Sequence, residues 1–203
     1  FCAYLLIHNR QQKAEQKEMF ATIAEKVDAA ESELGDLEQI GNAEDKRVAQ
    51  LLEVYRELHG YNSDFVGWIR VPGTEINYPV MQSPNNPNFY LRHNFEKEYS
   101  NLGTPYLQEN CDIRTCDNLI IYGHHMLDGG MFSDFELYKQ EAFWENHKYM
   151  RFDTLDELGL YEVMAVIITT AYQSDSFQYY NYVENNELIF NTYVQECKQR
   201  ALY

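Results

Sequence analysis

Positive charge is what this sequence lacks most. Its 16 Lys and Arg stand against 32 Asp and Glu, a net charge of −16. Nucleic-acid binding requires cations to neutralise phosphates, so nucleic acid is excluded as the main partner. The same surface is repelled by anionic lipid headgroups, and its main effect is on solubility. Long apolar runs are missing too. The opening stretch Phe1 to Ile7 is apolar and then turns polar, whereas a membrane-crossing helix takes about 20 apolar residues. It reads either as the trailing end of a membrane helix or as a short apolar start. Cysteine is scarce: Cys2, Cys111, Cys116 and Cys197 form no Cys-x-x-Cys pair and no zinc-type spacing with histidine. Cys111 and Cys116 either close a small-loop disulfide outside the cell or stay as two thiols. A Gly-x-Ser-x-Gly elbow, a phosphate-binding P-loop, a Gly-x-Gly-x-x-Gly turn and any internal repeat are all absent.

What is abundant is tyrosine, with 17 copies, in a chain that is 45% hydrophobic. Aromatic residues fit pleated, half-buried surfaces, so the composition leans toward β structure. Residues 11–60 differ, being charged with apolar positions at helical spacing. Phe20, Ile23 and Val27 share one face, and Leu51, Leu52, Tyr55 and Leu58 another. Two helices are predicted, broken near 35–43, with Asn42 a candidate cap for the second. From residue 61 the chain reads as one domain to 203. Strands are predicted at 65–71 and 76–80, joined by a Pro72-Gly73 turn. A helical turn is expected at 89–91 and a strand edge at 104–107. A buried strand is expected at 118–122, and helical segments across 131–147. Strands follow at 149–152 and 161–170, then a loop over 171–184. A final helix is predicted from 187 to 202, capped by Asn185 or Asn186. The expected fold is mostly β, a closed or nearly closed barrel with accessory helices.

Six histidines are present, and only His124 and His125 end an apolar strand beside glycine. A strand end places an imidazole at a barrel mouth, where it can move protons near neutral pH. The alternative is a plain polar strand terminus. Metal binding by His124, His125 and Asp128 is disfavoured because adjacent strand residues face opposite sides.

Three blocks in fixed order resemble the class B sortases, which are cell-wall cysteine transpeptidases. They are Asp64 to Val80 (DFVGWIRVPGTEINYPV), Asn88 to Asn94 (NFYLRHN), and Asn118 to Met126 (NLIIYGHHM) followed by Gly-Gly-Met-Phe132. The helical arm at 11–60 also suits that class. The resemblance implies an eight-stranded barrel that cuts a sorting signal and holds the acyl part as a thioester. An amine of a peptidoglycan precursor or a pilin then resolves that thioester. It maps the catalytic histidine onto His124 and makes Leu91 and Tyr122 candidate substrate contacts. Phe177, Tyr179 and Tyr180 either touch the sorting signal or pack on the barrel. No cofactor and no metal are implied. The family pattern places the nucleophilic Cys and an Arg on two strands after the last helix. The sequence reaches Tyr203 without either segment, so the expectation is an incomplete barrel with the last two strands absent. Residues 1–10 would be a remnant of a membrane anchor on the extracytoplasmic face. The 203 residues alone are then expected to be inactive. The rival reading is a non-catalytic sortase-like module that binds a peptide.

Overall fold

The computed structural model describes residues 2–32, 43–170, 176–183 and 186–203. Helix α1 (Cys2–Ser32) runs without a break through the apolar start and the first half of the arm, and α2 (Ala43–Tyr61) follows. No helix among the described residues is long and apolar enough to cross a membrane. The expected anchor therefore finds no support in α1. The predicted break and the Asn42 cap lie outside the described residues.

Among the described residues six strands form one curled sheet, a half-barrel, in the order β4-β3-β2-β1-β5-β6. They are β1 (Phe65–Arg70), β2 (Asn77–Met81), β3 (Tyr106–Leu107), β4 (Ile121–Tyr122), β5 (Tyr149–Thr154) and β6 (Leu160–Glu162). The predicted β1–β2 hairpin is present, with Val71 N–H donating to Ile76 O at 2.9 Å. Within this sheet β2 and β3 pair in parallel, while the other neighbours run antiparallel. Helix α3 (Glu141–Asn146) lies between β4 and β5, and α4 (Glu187–Arg200) is the last helix. Asn186 caps α4 through its side chain, which accepts from the Leu188 and Ile189 N–H groups.

Two predicted strands come out shorter than the sequence suggests. Of 118–122 only Ile121–Tyr122 pairs, and both residues are half-buried. Of 161–170 only the first two residues join β6. Val163 N–H still donates to Lys148 O at 2.7 Å, and beyond it the Val- and Ile-rich stretch joins no strand among the described residues, though Leu202 N–H donates to Val166 O at 2.9 Å. Side chains set β propensity, but a strand also needs a neighbour to receive its backbone groups.

The sheet separates two apolar clusters. On one side Phe20, Ile23, Val27, Leu51 and Tyr55 of the arm pack with Phe65, Trp68 and Met81. On the other Ile69, Val80, Leu107, Phe132 and Phe152 gather. Phe65 and Trp68 are an odd number of residues apart, yet both meet the arm. The ladder irregularity between Phe65 and Gly67 makes this possible, because an inserted residue reverses the alternation of faces.

Gly67 sits where β1 lies tight against β5, paired with Thr154. A Cβ there would lie 2.3 Å from Asp153 O and 2.9 Å from the Phe152 ring. Gly67→Ala is expected to destabilise the fold by about 1–3 kcal/mol, the usual cost of overpacking. An unchanged urea midpoint would contradict this.

Ion pairs fasten α1 to the sheet. Arg70 pairs with Asp28 and Glu31, and Arg151 reaches Glu31 and Asp153 at 2.5 Å each. Asp153 is 2% exposed and also accepts from Tyr55 Oη at 2.8 Å.

Candidate active site

The predicted histidine stands just past β4, on a loop tied at several points. His124 O accepts from Phe132 N–H at 2.9 Å. His125 and Met131 form a single antiparallel bridge. Ser133 Oγ accepts from Met126 N–H at 2.8 Å and lies 2.7 Å from Met126 O. These bonds hold residues 124–133 as a closed hairpin-like loop, so the position of His124 is set by the scaffold.

His124 Nε2 lies 2.8 Å from Leu91 O. A carbonyl can only accept, so Nε2 carries the proton and Nδ1 remains the nitrogen able to exchange one. Leu91 closes the 3₁₀ turn Phe89–Leu91, which starts from Asn88 in the left-handed region at φ 61°. Buried Tyr90 anchors that turn, its hydroxyl donating to Asp64 Oδ2 at 2.8 Å. Beneath it runs Gly103 at φ 59°, where a Cβ would sit 2.7 Å from Leu91 O, the oxygen that His124 uses. Gly103 O in turn accepts from Gln16 Nε2 of α1 at 2.6 Å. A continuous contact chain thus links the arm to the imidazole.

A cleft of about 430 Å³ opens beside His124, lined by Gln12 and Lys13 of α1 and by Arg92, Leu102 and Met126. Lys13 Nζ meets Asp128 Oδ2 at 2.6 Å across its edge. The hydrogen bond from Lys13 holds the Asp128 carboxyl below the usual carboxylate range. Sequence reasoning missed Gln12, Lys13, Gln16, Arg92 and Gly103. The glycine was the findable one, following Asn101-Leu102 at a turn, but nothing local announces that α1 folds over the histidine.

His125 belongs to a different surface. Its Nε2 is 3.5 Å from Glu136 Oε1, at the mouth of a second cleft lined by Phe132, Phe135, Met150 and Val163. Adjacent residues facing opposite sides is the arrangement expected at a strand end. Lys139 bonds Glu136 and lowers its carboxyl from the usual range, with the nearby His125 adding a smaller effect.

Of the predicted substrate contacts, Leu91 is 37% exposed and touches His124 through its carbonyl. Tyr122 is half-buried; its hydroxyl donates to Gln108 Oε1 at 2.5 Å and its ring lies 5.4 Å from that of Tyr106. Phe177 is 8% exposed, stacked on Tyr193 of α4 at 5.9 Å with Arg200 over its ring, so it packs rather than projects. Tyr179 and Tyr180 pack against the cluster of Ile69, Val80 and Phe132. Residues 171–175 of the predicted loop lie outside the described residues.

None of the described thiols lines the His124 cleft. Cys111 and Cys197 are buried, and burial pushes both thiols up from their ordinary range. A raised thiol yields little thiolate at neutral pH and makes a poor nucleophile. Among the described residues no group of three His, Cys, Asp or Glu is placed to hold a metal ion.

A scan against models of known protein families finds no match. Two curated relatives are similar, both named Sortase B. The protein from Staphylococcus aureus (strain NCTC 8325 / PS 47) is 31% identical over 152 residues, 73% of this chain and 59% of that protein. The protein from Listeria monocytogenes serovar 1/2a is 35% identical over 150 residues, 73% of this chain and 58% of that protein. The chain therefore spans somewhat under two thirds of these relatives. Among solved structures, a Staphylococcus aureus sortase B–substrate complex superposes with a TM-score of 0.78 at 25% identity, covering 95% of this chain and 82% of that one. Sortase B from Listeria monocytogenes gives 0.64 at 34% identity, covering 73% and 82%. At 34% identity to a sortase B of which it covers 82%, and 31% and 35% identity to the two curated proteins over 73% of its own length, this chain belongs to the class B sortases.

Proposed function

We propose that this chain is the histidine-bearing part of a cysteine transpeptidase acting at the cell surface. It would cleave a sorting-signal peptide of a secreted protein and transfer the acyl part to an amine of a peptidoglycan precursor or a pilin. The observation that carries the reading is His124, held by Nε2 on Leu91 O with Nδ1 left to exchange a proton, beside an open cleft. In the reaction a thiolate adds to the scissile carbonyl and the peptide C–N bond breaks. The leaving amine takes a proton from the imidazolium, and a thioester forms. The incoming amine then gives a proton back to the imidazole as it displaces the thiol.

None of the described cysteines suits the part of nucleophile, since they stand off the cleft and burial raises two of them; the family resemblance places that thiol on a strand that follows the last helix. The test is a sorting-type peptide whose scissile group is replaced by a thiol-reactive electrophile. Mass spectrometry should find no adduct on the 203-residue chain. Extended by the Cys- and Arg-bearing strands that the family pattern places after the last helix, the chain should carry one adduct on a single cysteine. Labelling of Cys111, Cys116 or Cys197 at the rate of a catalytic thiol would overturn the assignment.

A further inference from the structure

We propose that Cys111 and Cys116 form a dithiol site that closes to an intramolecular disulfide by exchange with a low-molecular-weight disulfide. Closure would clamp the turn on which Tyr122 and the 176–183 segment hang. This dithiol chemistry does not depend on the transpeptidase proposal.

The turn folds Cys116 back toward Cys111. Thr115 and Cys116 N–H groups both donate to Asp112 O, at 3.2 and 2.9 Å. Asp112 N–H donates to Cys116 Sγ at 3.2 Å, and the same sulfur lies 4.0 Å from Asn110 O. Cys116 Sγ therefore rests against the backbone on both sides of Cys111. Cys111 Sγ is held by backbone alone, 3.8 Å from Asn118 O with a further hydrogen bond to the Ile120 backbone, so no side chain competes for it. A disulfide needs the two Cα atoms within about 7 Å, and the turn bonded from Thr115 and Cys116 back to Asp112 brings Cys116 Sγ onto the backbone beside Cys111.

The two thiols differ in ways that order the chemistry. Cys116 is partly exposed and Cys111 is 2% exposed. Burial pushes the Cys111 thiol up, and a negative charge on nearby Cys116 pushes it further. Cys116 thus attacks first: its thiolate forms a bond to one sulfur of the external disulfide and releases the other as a thiolate. Cys111 then loses its proton and attacks the Cys116 sulfur, expelling the second external thiolate. The cysteines are oxidised by two electrons and the external disulfide is reduced to two thiols.

The turn has reach. Gln82 Nε2 donates to both Gln108 O and Cys111 O, at 2.9 and 2.6 Å. Gln108 Oε1 accepts from Tyr122 Oη, and its Nε2 donates to Tyr180 O at 3.0 Å. Asn118 Nδ2 donates to Tyr182 O at 2.7 Å. Residues flanking the dithiol therefore support both the residue before the Gly-His step and the aromatic segment.

The experiment treats the fully reduced chain with oxidised glutathione, alkylates what remains and maps the peptides after trypsin. Arg114 lies between the cysteines, so cleavage there should leave two fragments joined by a disulfide and separated by a reductant. Two alkylation sites should be lost, with the protein lighter by two hydrogen atoms. Cys111→Ser should stop at a glutathione adduct on Cys116, and Cys116→Ser should leave Cys111 alkylatable. The idea is overturned if wild type keeps both thiols, if it accumulates an unresolved adduct on Cys116, or if the bridge that forms involves Cys2 or Cys197. The wild-type map needs no substitution, so it decides the matter even where a variant fails to fold.

Discussion

Arg151→Met should cost about 3–5 kcal/mol of folding stability, the range for stranding a buried charge. Three carboxylates, Asp28, Glu31 and Asp153, share two guanidiniums, Arg70 and Arg151. Removing Arg151 takes the cluster from one excess negative charge to two. Asp153 suffers most, because at 2% exposure it cannot turn to water. Tyr55 Oη and the Gly159 N–H, at 2.8 and 3.1 Å, still donate to it, but both are neutral. Burial lowers the Arg151 pKa, but the Asp153 and Glu31 carboxylates outweigh that and hold it above its ordinary value. The guanidinium thus remains charged throughout the accessible range. The measurement is a urea transition with an unchanged slope and a lowered midpoint. Adding Asp153→Asn removes the stranded charge and should recover most of the loss. A single-variant change within about 0.5 kcal/mol, the size of an ordinary surface substitution, would show that the cluster does not hold the arm.

That cluster shows where sequence reading stops. The helices of the arm are legible because Phe20, Ile23, Val27 and Leu51, Tyr55, Leu58 recur at helical spacing, and these side chains do form the arm's buried face. The hairpin is legible from Pro72-Gly73 between two apolar runs, and the Asn186 cap from its residue type. Each is a local pattern with a local cause. Arg151 and Glu31 are 120 positions apart, and nothing in either neighbourhood announces their bond. The Phe65–Gly67 irregularity is equally hidden, since strict alternation would send Phe65 and Trp68 to opposite faces. Residues 164–170 depart from expectation for a related reason: their Val and Ile content favours a strand, but pairing depends on a partner elsewhere.

The site divides in the same way. His124 is legible because a glycine and an imidazole ending an apolar strand form a local signal, made specific by the two ordered blocks upstream. Its support is not. Leu91 is expected to meet the substrate as an apolar wall, and its carbonyl in addition meets the imidazole, which no local pattern announces. Gln16 and Gly103 position that carbonyl from two distant parts of the chain. The arm is thereby part of the site's construction: α1 lines the His124 cleft with Gln12 and Lys13 while its far end is clamped by Arg70 and Arg151.

Replacing His124 in a form of the protein that carries the nucleophilic thiol should then separate proton transfer from positioning. Under the proposed role, His124→Ala lowers kcat/KM for a sorting peptide by about a hundredfold to ten-thousandfold, the usual contribution of a general acid or base. Peptide binding should change little, because the cleft keeps its other walls, Gln12, Lys13, Arg92 and Leu102. The more informative variant is His124→Gln. Its amide N–H can donate to Leu91 O as Nε2 does now, so the loop anchor survives while the exchangeable proton is gone. It should be as inactive as His124→Ala yet as stable as wild type. Gly103→Ala supplies the converse case. Its Cβ would crowd Leu91 O at 2.7 Å and displace the imidazole's partner without touching the imidazole. Activity there should fall less than in His124→Ala, because a displaced imidazole can still transfer a proton some of the time. If His124→Gln retains most of the wild-type rate, the imidazole acts only as a hydrogen-bonded strut, and the group that moves the proton must be sought elsewhere in the cleft.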